Sequence, residues 1–414
     1  MATVNYMTVH QATVNDMTVH QASTILKSLV EQATGQTVIT ASTPGEFVSV
    51  AQTALKTGYE PILNAMSQMW GRTIFSVRPY TRKFKGMEMS MDRWGNAIRK
   101  ISIADKPIQD DERFTYPVGY DATQNPKDGN GKSVDMFKLN KPDVLQTNFY
   151  GQSVYEKYYS IFRDNLDVAF SSPDEFMRFN SMVAQNRADM LEQYRETIAR
   201  GLLVNYIGSL LEEGQATRIV HLLAEYNALT GLTLTAQSVY EPANYQSFME
   251  FVYSRIANIS RMMSERSEMF QTVINEKHVM RHTPPTRQKV YLYSKALDMF
   301  DAMVKSNTFH DNYLKYTDYE GVNFWQSIET PDSVSVKATY TKTDGTVATA
   351  ETAKEQAGIF GVIFDEDALG YAQVNAWNSL TPFNPFGGYW NDVDHVNFRT
   401  LQDMTEKGVL LLLD

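Results

Sequence analysis

The stretch from Ser172 to Gly214 reads as one uninterrupted helix of roughly forty residues, near 60 Å long at 1.5 Å rise per residue. Ser172 is placed to cap it, Pro173 suits the first helical position, and Glu175 completes an S-x-x-E capping box. Gly214, after Glu212-Glu213, is the candidate for the left-handed residue that ends it. Globular helices average nearer 11–12 residues. A helix of this length, following about ninety residues of aromatic, strand-like pattern, suits a stiff spine across a thin, wide molecule.

The chain as a whole, 414 residues long with 43% hydrophobic and 21% charged residues, has ordinary globular composition. That length predicts two or three domains. The net charge of −10 argues against a sequence-wide grip on nucleic acid, which needs a basic surplus. It is compatible with a wall that encloses DNA without sticking to it. With no cysteine in the sequence, disulfides, thiolate zinc sites, iron–sulfur clusters and cysteine nucleophiles are excluded. The longest apolar run, Val409–Leu413, is far too short to span a membrane, and the N-terminus lacks the pattern of a secretory signal.

The chain opens on a tandem repeat, Ala2–Gln11 and Ala12–Gln21, which differs only at Tyr6 against Asp16. Two copies are too few for a solenoid, so the repeat reads as a tolerant tail or as an arm ordered against a neighbour. Helices are expected over Ala22–Gln32, from the Thr43–Glu46 capping box to Lys56, and from Pro61 to Gly71, the last with an Ala65, Met69, Trp70 stripe. Residues 73–162 then read as strands, with Thr73–Val77, alternation over Lys83–Met91, a turn at Trp94-Gly95-Asn96, and Ile98, Ile101 and Ile103 continuing it. A loop at Asp121–Ser133 leads into strands over Val134–Leu139 and Leu145–Tyr155. This long amphipathic hairpin has little core of its own and is expected to lie on something else.

After the long helix a second is expected over Tyr245–Met269, then a strand at Val290–Tyr293 and a helix Lys295–Lys305 capped by Ser294. Asp344-Gly345 marks a hairpin turn, and Gly358–Asp365 is a strand of the kind buried on both faces. Residues 378–391 read as a Pro-, Gly- and aromatic-rich loop, and Val396–Leu413 as two strands joined at Glu406-Lys407-Gly408.

The signals that resemble chemistry are incomplete. Gly131-Lys132-Ser133 ends like a phosphate-binding loop, but Pro126 stands where the motif needs its first glycine. His278 and His282 have i, i+4 spacing, yet Val279 occupies the place of the metalloprotease glutamate, and Pro284-Pro285 follow. Asp392, Asp394 and His395 form a cluster that could hold a hard cation, against the simpler reading of a solvated turn. Nothing assembles a nucleophile, base and orienter, so no enzyme activity, cofactor or metal is expected.

Three C-terminal pieces carry a resemblance: Gly361–Gly370 (GVIFDEDALG), Thr381–Trp390 (TPFNPFGGYW) and Thr405–Asp414 (TEKGVLLLLD). Together with the element order, they are similar to the ends of major capsid proteins of short-tailed gut phages, within the Hong Kong 97-type tailed-phage shell fold. The resemblance implies an α+β subunit with residues 1–75 as N-terminal arm and helices and 76–160 as an extended loop. It makes 161–215 with 356–404 a peripheral domain around the spine helix, and 216–355 with 405–414 an axial domain. It implies self-assembly into pentamers and hexamers that close an icosahedral shell around double-stranded DNA, in the virion after assembly in the host cytoplasm. A portal protein, a separate scaffolding protein (the arm being short) and decoration or head-fibre proteins are the implied partners. An encapsulin-like compartment of the same fold is the alternative, although that group resembles a shorter subunit. Met87, Met89, Met91, Trp94, Ile101 and Ile103 are the expected inter-subunit contacts of the loop, with packing inside one subunit as the competing reading. Some members crosslink a loop lysine to a neighbour's asparagine; Lys83, Lys85 and Lys100 lie in this loop, but no motif selects a pair.

Overall fold

The long helix forms over Pro173–Glu213, and both of its ends are built as the sequence predicts. The Glu175 N–H donates to Ser172 Oγ at 3.2 Å. At the other end Gly214 takes φ +63°, and its N–H donates to the Leu210 carbonyl at 3.0 Å. That is the left-handed stop in which glycine escapes the Cβ clash.

The computed structural model describes residues 21–33, 35, 41, 43–70, 80–89, 98–104, 141, 143–298 and 319–414. All of the N-terminal repeat but Gln21, Thr73–Val77, Met91, Trp94, the Asp121–Ser133 loop, Val134–Leu139 and residues 299–305 of the expected Lys295–Lys305 helix lie outside them. The helices include α1 (21–33), α2 (Pro44–Thr57), α3 (Tyr59–Trp70), α4 (Arg163–Ala169), α5 (Pro173–Glu213), α6 (Leu222–Thr230) and α7 (Pro242–Ser264), and residues 294–298 are helical as well. The strands of the first half are β1 (Ile98–Ile103), β2 (Val144–Phe149), β3 (Gly151–Phe162), β4 (Ile219–His221) and β5 (Gln288–Tyr293). Next come β6 (Tyr319–Val322), β7 (Val334–Val336), β8 (Thr339–Thr341), β9 (Val347–Thr349) and β10 (Lys354–Gln356). The last are β11 (Ile359–Asp365), β12 (Leu369–Leu380), β13 (Tyr389–Gln402) and β14 (Gly408–Leu412).

The chain divides into two units. The first comprises residues 1–95, 151–199 and 371–400. Its three-stranded sheet runs β12-β13-β3. Its core gathers Leu26 of α1, Phe47 of α2, Leu63 of α3, Leu166 of α4, Phe176 of α5 and Trp390 of β13. Phe176 centres an aromatic cluster, 5.6 Å from Phe47 and 5.0 Å from Phe170. The Thr43 cap is present, with the Glu46 N–H 3.3 Å from Thr43 Oγ1. The helix expected from Pro61 begins two residues earlier, at Tyr59. Ala65 is buried as its stripe requires.

The second unit comprises residues 96–150, 200–370 and 401–414. Its central sheet runs β4-β14-β11-β5-β6, with β14 parallel to β4, β5 parallel to β6, and β11 antiparallel to both its neighbours. Every residue of β11 and β14 is buried, as the continuous apolar runs predict. Phe248, Val252 and Ile259 of α7 pack against this sheet beside Leu223 of α6. Close packing demands small residues. A Cβ on Gly408 would sit 1.9 Å from Tyr206 Oη of α5. The Asp344-Gly345 turn closes the β8–β9 hairpin with Gly345 at φ +79°.

Four expectations are corrected. Over 83–89, the described part of Lys83–Met91, the chain is not a continuous strand: Phe84 takes φ +61°, a short 3-10 turn covers Lys85–Met87, and Phe84 and Met87 both turn inward. Leu145–Tyr155 is two strands, because β2 pairs with β1 while β3 pairs with β13. Val396–Leu413 does hold two strands, but they do not pair with each other: β13 and β14 belong to different sheets, and the buried segment 403–407 links them. The helix expected to end at Met269 begins at Pro242 and stops at Ser264, where Glu265 is extended.

Candidate assembly surfaces

The β1–β2 hairpin has its polar side turned inward. Its register pairs Ile98 with Phe149 through Ile103 with Val144. Side chains alternate across a strand, so Lys100 and Ser102 share one face while Ile101 and Ile103 share the other. Lys100 Nζ lies 2.7 Å from Asp403 Oδ2 and also pairs with Glu406. Arg281 adds an ion pair to Glu406 at 2.8 Å and a bond to Ser102 Oγ at 3.1 Å. Leu145 completes the inner face against Ala104, Ile274 and Val279. Ile101 and Ile103 remain 59% and 65% exposed, with Val144 beside them at 40%.

The buried carboxylates respond in opposite directions. Burial alone would raise Asp403, but the Lys100 ammonium and bonds from Thr405 outweigh it and hold this carboxyl below the ordinary range. Burial dominates at Glu406 and raises it despite Lys100 and Arg281, with Asp403 adding to the rise. The two acids share one ammonium, and Glu406 has Arg281 as a second cation. Next in sequence, burial pulls the Lys407 ammonium down to about 8, close to Glu265. Its Nζ donates to the Glu265 carbonyl at 2.6 Å and to Ser267 Oγ at 3.1 Å. The adjoining Arg218 is fully buried and donates to the Gly408 carbonyl, Thr272 Oγ1 and Tyr206 Oη.

In the first unit, residues 80–89 are fastened to α5. The Arg82 guanidinium lies 2.5 Å from Glu192, pairs with Glu88 and donates to Tyr371 Oη at 3.1 Å. Burial lowers the Arg82 affinity for its proton, but the bond and charge of Glu192 with the charge of Glu88 more than restore it. Tyr80 donates its N–H to Asp189 at 3.0 Å and its hydroxyl to Glu196 at 2.5 Å.

Among the sequence-derived contact residues, Met87 is buried within its own chain and Met89 is partly buried. Met91 and Trp94 lie outside the described residues, and Ile101 and Ile103 face outward together. Lys100 is occupied by its own subunit's carboxylates, whereas the Lys85 side chain is exposed. Sequence reading gave Arg82 and Asp403 no role and took Glu406 only as part of a junction. Each stands among other polar and charged residues, so nothing local marks it as buried and paired.

The sites that resembled chemistry resolve differently. Asp392 and Asp394 stand on β13 rather than in a loop, where Arg187 pairs with Asp392 at 2.8 Å and with Asp394 at 2.6 Å. Asn378 donates to both, so an arginine and an amide take the place of a cation. His395 stacks on Trp377 at 4.9 Å and faces Glu156. His278 and His282 are not on a helix, and His278 Nδ1 lies 2.7 Å from Glu268. No group of three metal-ligating side chains occurs among the described residues. No helix among them is long and apolar enough to cross a membrane. The Gly131-Lys132-Ser133 segment lies outside them.

Among curated proteins none matches the chain at a significant level. Solved phage particles share its fold. A chain in the capsid structure of Staphylococcus phage Andhra is 11% identical, with TM-score 0.50, over 83% of this chain and 87% of that one. A chain in the structure of the head fiber and inner core protein gp22 of native bacteriophage P68 is 12% identical, with TM-score 0.51, over the same shares. Residues 22–399 match the model of the Phi29-like phage major capsid proteins. That match spans most of the chain, and the protein belongs to this family of phage capsid subunits.

Proposed function

We propose that copies of this major capsid protein form pentamers and hexamers that close an icosahedral shell, with the β1–β2 hairpin of each subunit laid over a neighbour. The observation that carries the reading is the orientation of the hairpin. An isolated hairpin would put isoleucine inside and lysine outside, yet here Lys100 is held by Asp403 and Ile101 and Ile103 face solvent. Exposed apolar strand faces favour association. Covering the two isoleucines would contribute on the order of 3 kcal/mol per contact, repeated at every interface of a shell.

The same reading keeps the Hong Kong 97-like partition into arm, extended loop, peripheral and axial domains as assembly roles. Met87, being filled from its own subunit, passes its place among the loop contacts to Ile101 and Ile103. The family match favours a capsid over an encapsulin-like compartment. A net charge of −10 suits a wall around double-stranded DNA that the polymer does not adhere to. The role is structural and needs no cofactor. Assembly in the host cytoplasm with portal and scaffolding proteins follows from the same role, and the head fiber named in the P68 structure makes a fibre partner reasonable.

Sedimentation and electron microscopy of the purified chain, with and without a scaffolding partner, test this. Shells or ring-shaped oligomers are expected. A monomer that persists under both conditions at high concentration would contradict it.

A further inference from the structure

The PFNPF loop between β12 and β13 gives its two phenylalanines opposite fates. Phe383 turns inward and packs on Trp390, ring centroids 4.6 Å apart. Phe386 is 102% exposed, with no part of its ring covered. The backbone that presents it is tightly built. Asn384 Oδ1 accepts the N–H groups of Phe386 at 3.0 Å and Gly387 at 3.2 Å. The Asn384 N–H donates to the Tyr389 carbonyl, and the Gly388 N–H returns to the Asn384 carbonyl, each at 2.9 Å. A Cβ on Gly387 would strike the Tyr389 ring at 2.2 Å, and Gly388 holds φ +65°. The Arg163 N–H ties the Gly388 carbonyl to the start of α4 at 3.0 Å.

A solvated loop has no need of so much order around an exposed ring. A rigid loop loses little entropy when a partner covers it, and aromatic side chains dominate such contacts.

Charge decides which partner fits. Residues 368–391 contain no Asp, Glu, Lys or Arg, the longest such run in a chain of net charge −10. Two copies of an acidic subunit repel through most of their surface and meet most cheaply through a neutral one. Arg163 and Asp167 at its edge lie 3.9 Å apart and offset each other.

We infer that Phe386 is an assembly knob, inserted into an apolar site on a second copy of this chain. This rests on the shell reading above and adds a contact, separate from the hairpin, made by the first unit.

The test uses the full-length chain. Phe386→Ala should leave the melting temperature unchanged and raise the protein concentration needed for assembly by about ten- to a hundredfold, the worth of one buried phenylalanine. In parallel, benzoyl-phenylalanine replaces Phe386, and illuminated particles are analysed by mass spectrometry. Crosslinks joining two copies of this chain are expected. Crosslinks only to a different protein, no crosslinks, or unchanged assembly of Phe386→Ala would each overturn the knob while leaving the shell reading standing. Failure of the wild-type chain to assemble removes both.

Discussion

Lys100 and Asp403 are 303 positions apart in sequence, yet the lysine Nζ sits 2.7 Å from the aspartate Oδ2. Asp403 is almost fully buried. This pair sets which face of the hairpin is offered outward, the face proposed above to meet a neighbouring subunit.

Substituting Lys100→Met strands the Asp403 carboxylate in a buried site and leaves Glu406 with Arg281 as its remaining cation, at 2.8 Å. Removing one partner of a buried pair costs about 3–5 kcal/mol. Urea unfolding of Lys100→Met should show a loss of that order, with earlier proteolytic cutting in the hairpin. A change below about 0.5 kcal/mol would place the pair among weak surface contacts.

The isoleucine face should behave in the opposite manner. Ile101→Ser combined with Ile103→Ser removes exposed apolar surface, so the free subunit's stability should stay within about 0.5 kcal/mol. Particle formation, followed by light scattering, should fail or need far more protein.

Arg82 is buried between Glu192, Glu88 and Tyr371. Arg82→Met leaves the Glu192 carboxylate with Arg195 as its remaining partner, at 2.8 Å. A loss of about 2–4 kcal/mol is expected, softened by that arginine. Hydrogen exchange should quicken first in residues 80–89.

Lys407 gives a pH signature. Its folded value of about 8 lies below the roughly 10.4 of an unperturbed lysine. Between these values the unfolded chain holds a proton that the folded one has released, so stability rises with pH. The gain amounts to about 3 kcal/mol across the window and is absent below pH 8, where both states are protonated. Unfolding midpoints at pH 7.5, 8.5 and 9.5 should climb for the wild type and stay flat for Lys407→Met.

The elements written in local chemistry were legible in sequence. The Ser172 cap, the Gly214 stop, the Asp344-Gly345 turn and the apolar run of β11 each depend on neighbours within a few residues. The failures share a cause in long-range pairing. Lys83–Met91 has strand-like alternation, but Arg82 reaches Glu192 and Phe84 bends the chain inward. Val396–Leu413 looks like a hairpin because nothing local shows that β13 pairs with β3 and β14 with β11. The isoleucines could be nominated as contacts from their spacing. Their outward direction depended on Asp403 and Glu406, which no motif connects to Lys100.

Because the chain has no cysteine, a single one at the hairpin is a unique probe. The most direct measurement is the rate at which a thiol reagent modifies Ile103→Cys in free subunits and in assembled particles. The account predicts fast modification of the free subunit and protection of at least about tenfold in the particle, as a neighbour covers the face. Equal rates in the two states would show that nothing lies over Ile103 and would contradict the proposed interface.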